Sequence, residues 1–179
     1  MLFIEPAEEY LDRIAEYRAE FLSNGDSMDG TGPLRRCADP AEWLAKVNAG
    51  KYPESTPPGL VPATQYIYVR EDDGRIVGML QIRHCLNDYT EVYAGHIGYS
   101  VAPGERRKGY ASQMLAAALP ICRELGIKKV LITCDRGNEG SRRTILKHGG
   151  TYESTVYEAN RDGFIERYWI DLNKKSKCY

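Results

Sequence analysis

Apolar residues recur along this chain with two periods, and the switches between them predict a succession of strands and helices. Residues 2–4 (LFI) are short, apolar and followed by Pro6, which suits an edge strand. From about 7 to 22, Tyr10/Leu11, Ile14, Tyr17/Arg18 and Phe21/Leu22 fall at helical spacing. Glu8 and Glu9 stand in that helix's first turn, where the positive end of the dipole favours them. A polar, glycine-rich loop (SNGDSMDGTGP) follows, and Asp39-Pro40, an N-cap before a proline, opens a short helix to about Asn48. Residues 50–63 are rich in proline and form a loop too long to be idle in a compact domain.

Alternation then predicts strands over 64–70 and 75–84 around an E-D-D-G turn, and another over about 93–101. Ala111, Met114/Leu115, Ala118/Leu119, Cys122 and Leu125 give the clearest helical stripe, ending near Gly126. Pro120 lies inside it and is expected to bend it, because its ring displaces the carbonyl of Ala116. Residues 128–135 read as a buried strand and 138–148 as a short helix closed by Gly149-Gly150. A hairpin over 152–159 and 164–172, turning at Arg161-Asp162-Gly163, ends the pattern, and the tail 174–179 is expected to be disordered. The order β-α-α-β-β-β-α-β-α-β-β, without repeats, implies a single α/β domain over 1–173 whose sheet mixes parallel and antiparallel pairs.

Charge narrows the function classes. With 24 basic and 25 acidic residues the formal charge is −1, which argues against a nucleic-acid or anionic-membrane surface, so any basic site is local. Five scattered cysteines (Cys37, Cys85, Cys122, Cys134, Cys178) and three histidines match no metal spacing, and no metal is expected. Reduced thiols, an N-terminus without signal-peptide character and the lack of a long apolar run lead to the expectation of a cytoplasmic protein.

One short stretch concentrates that local charge. In 101-VAPGERRKGYASQML-115, two glycines, three cations and a proline join a strand to a helix. A helix N-terminus carries about half a positive charge and unpaired N–H groups. With Gly109 leaving room for backbone approach, the turn suits a pyrophosphate. Gly104 and Gly109 satisfy G-x-x-x-x-G, but Tyr110-Ala111 stands where a nucleoside-triphosphate loop needs Lys and Ser/Thr, so phosphoryl transfer is excluded.

Arg106-Arg107-Lys108-Gly109-Tyr110-Ala111 resembles the acyl-CoA-binding motif [Q/R]-x-x-G-x-[G/A] of the GNAT superfamily of N-acetyltransferases, and Asn138, opening 138-NEGSRRTILKHGG-150, resembles its second CoA element. The strands 95-GHIGYSV-101 and 131-LITCD-135 are similar to those of a bacterial subgroup of these enzymes. The resemblance implies a GNAT fold: a mixed, mostly antiparallel sheet of about six or seven strands flanked by about four helices, with strands four and five splayed. It implies acetyl-CoA as cosubstrate and a small-molecule or peptide amine as acceptor. Backbone groups of Tyr99, Ser100 and Val101 are then expected to hold the pantetheine and polarise the thioester. The N–H groups of Arg107, Lys108, Gly109, Tyr110, Ala111 and Ser112 are expected to cradle the pyrophosphate. Arg106 or Lys108 stands ready for further phosphate charge, and Asn138 and Ser141 for the cofactor arm. Asn138 also reads as a plain N-cap.

Catalytic groups are harder to assign. Relatives often supply the leaving-group proton from a tyrosine seven residues after the asparagine, and that position here is Ile145, which cannot donate. Tyr152 and Tyr157 are the nearest substitutes, with Ser141 and Cys134 behind them. For a base, His96 and Glu91 are the polar residues near the fourth strand, and His84 ends the face of the third that looks toward the same cleft. Each histidine reads equally as a structural, hydrogen-bonded side chain. Two functions follow: direct acetyl transfer to a primary amine, or a catalytically silent CoA-binding sensor or scaffold. The terminal hairpin offers an edge for a homodimer, which nothing in its sequence demands.

Overall fold

The structure, a computed structural model, describes residues 1–173; the expectation of a disordered tail at 174–179 lies outside the described residues. Its strands are β1 (Leu2–Ile4), β2 (Ala63–Val69), β3 (Ile76–Arg83), β4 (Ile97–Val101), β5 (Lys129–Asp135), β6 (Thr151–Glu158) and β7 (Gly163–Asp171). They form one sheet in the order β1-β2-β3-β4-β5-β7-β6, antiparallel throughout except for β4 beside β5. The helices are α1 (Leu11–Asn24), α2 (Pro40–Ala49), α3 (Tyr110–Glu124) and α4 (Glu139–Lys147). Among the described residues no helix is long and apolar enough to cross a membrane.

Both faces of the sheet are covered, which is why every residue of β2 is buried. Strand alternation sends Ile67 and Val69 to one side, where they meet Ile14, Tyr17 and Phe21 of α1 and Trp43 of α2. Tyr66 and Tyr68 go to the other, with Leu80, Ile82, Met114 and Leu115 of α3 and Ile145 of α4. Trp43 is fully buried, and its Nε1 donates to the carbonyl of Thr31 at 2.8 Å, so its one polar atom is satisfied. Burying each such large side chain stabilises the fold by about 1.5–3 kcal/mol.

The local signals act as the sequence predicts at most ends. The Asp39 carboxylate accepts from Ala41 N–H, and α1 ends on Gly25 in the left-handed region. α3 runs on through Pro120, because Pro120 and Ala116 are both exposed and water can take the orphaned carbonyl.

One element differs. The fourth strand starts at Ile97, and Thr90–Ala94 forms a π-helical turn in place of the expected strand start near 93. Distant side chains claim that turn's carbonyls: Thr133 Oγ1 donates to Tyr93 O at 2.9 Å, and Arg167 Nη1 donates to Val92 O at 2.7 Å and to Glu91 O. Gly95 closes the turn at φ 65, where an added Cβ would stand 2.4 Å from Leu131 O.

Candidate active site

The sheet opens where β4 meets β5. β3 and β4 match residue for residue from Gly78↔Val101 to Ile82↔Ile97, whereas β4 and β5 pair only at Ile97↔Ile132. Beyond that point the strands diverge, leaving the β5-facing edge of residues 98–101 without a strand partner. A cleft of about 600 Å³ fills the opening and runs on to the start of α3.

At that start the chain forms a cradle of open backbone N–H groups. Arg107 has φ 64 and Gly109 φ 87, so the backbone folds back just before the helix. None of the N–H groups of residues 107–112 donates to an acceptor among the described residues. A Cβ on Gly109 would meet only Gln113 Nε2, at 3.9 Å, so the approach to the backbone is open. The cations around the turn are held from behind. Buried Glu105 accepts from Lys108 Nζ at 2.8 Å and Arg70 Nη1 at 3.1 Å, and lies 3.4 Å from Arg75 Nε. Lys108, then Arg70, hold its carboxyl below the usual range. Arg106 pairs with Asp26 at 2.5 Å and stacks on Phe21, its guanidinium 5.7 Å from the ring centre. Of the residues assigned to the cofactor from the sequence, Tyr99, Ser100, Val101, Arg106, Arg107, Gly109, Tyr110, Ala111, Ser112, Asn138 and Ser141 line the cleft; Lys108 does not, because Glu105 draws it aside.

At the middle of the cleft two elements meet through hydroxyls. Tyr99 points from β4 to the first turn of α4, its OH 2.8 Å from Ser141 Oγ. Burial pushes the Tyr99 phenol up to about 12 and the nearby Cys134 thiol up to about 11, so both are protonated at neutral pH. Asn138 caps α4 by accepting from Ser141 N–H at 3.0 Å, which fixes Ser141 toward Tyr99. Ile145, at the position where the family resemblance implied a tyrosine, is wholly buried in the core.

The remaining sequence candidates lie away from this centre. His96 is buried at the closed end of the opening, its Nδ1 accepting from Leu131 N–H at 3.0 Å. Burial, then Arg83, lowers it to about 4, so it is neutral and its acceptor nitrogen is already used. His84 Nε2 is bonded to Thr64 Oγ1 at 2.8 Å, and neither histidine lines the cleft. Glu91 is exposed on the π-helical turn. Tyr152 and Tyr157 stand half-exposed on β6, an edge strand separated from β5 by β7, bonded to Thr155 Oγ1 and Asp162 Oδ1. The structure brings none of these five to the cleft.

On the α1–α2 side the cleft continues into a wall that sequence reasoning left largely unassigned. Tyr89, Arg83, Asp29, Arg161 and Asp135 line it. Tyr89 OH donates to Glu158 Oε1 at 2.5 Å, which raises the Tyr89 phenol. Arg161 stands 3.9 Å from Asp29, 4.0 Å from Asp135 and 3.9 Å from Glu158. Gly30 presses so closely on β4 that a Cβ there would lie 2.1 Å from Gly98 O, and Gln65 Nε2 holds its carbonyl at 2.8 Å. A strand-end arginine and a hairpin arginine give no sequence signal beyond solvated charge.

Comparison with known proteins agrees with this geometry. The chain resembles the ribosomal-protein-S5-alanine acetyltransferase of Vibrio fischeri, with 14% identity over 96% of this chain and 92% of that one, at a TM-score of 0.68. It resembles the spermidine N-acetyltransferase SpeG of Vibrio cholerae at 13% identity, 99% and 98% coverage and a TM-score of 0.68. For yncA of Salmonella typhimurium, a putative acetyltransferase solved with its cofactor acetyl-CoA, the values are 14%, 99%, 98% and 0.66. At these identities the likeness speaks for the fold. No curated protein sequence matches the chain significantly. Residues 36–149, well over half of the chain and inclusive of the cradle, β4, β5 and α4, match the Acetyltransferase (GNAT) family. The chain therefore belongs to that family of acetyltransferases.

Proposed function

We propose that this enzyme moves the acetyl group of acetyl-CoA directly to a primary amine, on a small molecule or a peptide, within a single domain over 1–173. The observation that carries this reading is one continuous cleft. It joins the free N–H groups of residues 107–112 to the unpaired edge of β4 and then to a polar wall beyond.

Acetyl-CoA, when bound, supplies a thioester carbonyl for the amine to attack. The cradle fits its phosphates, since free N–H groups and a helix N-terminus both favour negative charge. The free main-chain edge of β4 suits pantetheine, and N–H groups there would stabilise charge growing on the carbonyl oxygen. Tyr99 OH, bonded to Ser141, would give a proton to the departing thiolate, and the proton lost by the attacking nitrogen would pass through water to restore the Tyr99 phenol. Holding amine and thioester side by side supplies several further kcal/mol. Cys134 is not used as an acyl carrier: its thiol is pushed up to about 11, and none of the histidines contacts it.

A second reading, a CoA-binding sensor that no longer turns over, is favoured by buried Ile145 where a tyrosine is usual. Calorimetric titration of acetyl-CoA into wild type and Gly109→Trp, followed by thiol release across an amine panel, separates them. Binding lost in the variant together with turnover supports the transferase, and binding without turnover supports the sensor. No binding by folded wild type overturns both.

A further inference from the structure

The buried charges Glu105, Glu158, Glu166 and Arg167 each have an opposite partner, whereas half-buried Arg83 has none within 4.0 Å among the described residues. Its Nη1 donates to the carbonyls of Ala94 (3.3 Å) and Gly95 (3.0 Å), holding the π-helical turn against β3. No carboxylate stands within 4.0 Å of its guanidinium among the described residues. Nε and Nη2 make no hydrogen bond there, are not sealed from solvent, and belong to a side chain that lines the cleft. Burial lowers this guanidinium's pKa, and the charge of Asp29 is the larger of the effects that oppose it. A half-buried cation without a counter-ion is costly, and such groups normally find a charged partner. Bracing one turn uses a single nitrogen; the remaining edge presents two parallel N–H donors, the geometry that matches a carboxylate.

The surroundings point the same way. Gly98 sets Arg83 beside the unpaired edge of β4: a Cβ there would stand 4.0 Å from Arg83 Nη1, and 3.1 Å from the N of Gly30, which covers it. Asp29, on the same wall, accepts from Ser27 Oγ at 2.8 Å and lies 3.9 Å from Arg161, so it is only loosely neutralised. The wall thus offers a guanidinium with no carboxylate within 4.0 Å among the described residues and, on the same wall, an acid able to draw in an ammonium.

Building on the transferase reading above, we propose that Arg83 binds a carboxylate of the acceptor, so that the acceptor is a small amine that also carries a carboxylate, of the α-amino-acid type. Polyamines and amidated peptides lack the group that Arg83 is placed to hold.

The test measures thiol release by wild type with α-amino acids, the same compounds as methyl esters, a polyamine and an amidated peptide. Arg83→Met and Arg83→Lys are run beside it. The expected result is turnover of the free acids at least about tenfold above their esters, the size of a lost charge-assisted pair. Arg83→Met should raise the acceptor KM about ten- to hundredfold, leave the KM for acetyl-CoA unchanged and erase the preference of acid over ester; Arg83→Lys should restore part of it. An arginine that only braced the turn would not alter that preference. Equal turnover of acid and ester, or a preference for polyamine or amidated peptide, overturns the assignment while leaving the transferase standing. Absence of thiol release with every amine tested defeats the transferase reading and this one with it. Should Arg83→Met fail to bind acetyl-CoA or fold, the wild-type comparison of acid with ester decides alone.

Discussion

His96 and Leu131 grip each other twice: His96 N–H donates to Leu131 O at 2.7 Å, and Leu131 N–H donates to His96 Nδ1 at 3.0 Å. The side chain takes the place of a missing ladder partner just before Ile97↔Ile132, the one point where β4 and β5 pair. Beyond it the strands part and the cleft begins. His96 is therefore the pin of the opening, and its acceptor nitrogen must stay unprotonated.

That requirement sets a pH dependence. The folded protein holds His96 at about 4, against an ordinary 6.5, so between those values the unfolded chain binds the extra proton. The stability is full above about pH 6.5 and falls as pH drops toward 4, by roughly 3 kcal/mol at about 1.4 kcal/mol per unit. His84 and His148, also lowered by burial, add in the same direction. Urea midpoints from pH 7 to 4 should show a shallower acid limb in His96→Gln, whose amide oxygen accepts from Leu131 without titrating. An unchanged limb would place the acid sensitivity elsewhere.

Gly30 is where the α1–α2 loop meets β4. Gly30→Ala brings a Cβ to 2.1 Å from Gly98 O at φ 73, and should cost more than about 2 kcal/mol. Gly25→Ala, at φ 70 with nothing within 4 Å, carries the backbone strain alone and should cost about 1 kcal/mol. Equal losses in chemical denaturation would mean that the loop can leave β4 freely.

Glu105 ties the cradle to the β2–β3 turn through Lys108, Arg70 and Arg75. Glu105→Gln should destabilise by about 1–3 kcal/mol and weaken acetyl-CoA binding, since the backbone at 107–109 loses its support. Because partners depress this carboxyl, its contribution is present above the ordinary glutamate range and is lost as pH falls through its folded value. Tight binding by a destabilised variant would show that the turn keeps its shape unaided.

For proton delivery, Tyr99→Phe keeps the ring and removes the hydroxyl that meets Ser141. The expected outcome is a fall in kcat of about a hundredfold with little change in the KM for acetyl-CoA. Ser141→Ala should have a smaller effect. Undiminished kcat in Tyr99→Phe would leave water as the donor.

Local chemistry explains what could be read directly. The order of elements follows from periodicity, and each helix start that carried a cap signal, Asp39 and Asn138, caps as expected. The turn at 106–112 was legible because its conformation and charge are encoded within a few consecutive residues. The start of β4 was not, because Tyr93 and Val92 look strand-like until Thr133 and Arg167, far along the chain, take their carbonyls.

The cleft shows the same division. Tyr152 and Tyr157 follow α4 in sequence, yet β7 lies between their strand and β5. Tyr99 precedes α4 by a whole helix and strand, yet its hydroxyl lies against Ser141. By itself the sequence determined the order of elements, the conformation-bearing residues of the turn at 106–112 and the kinship, since these depend on residues close together along the chain. Only the tertiary structure decided that His96 pins the strands, that Tyr99 meets α4 and that Arg83 is left without a counter-ion, because each depends on which groups from distant segments are, or are not, brought within a few ångströms.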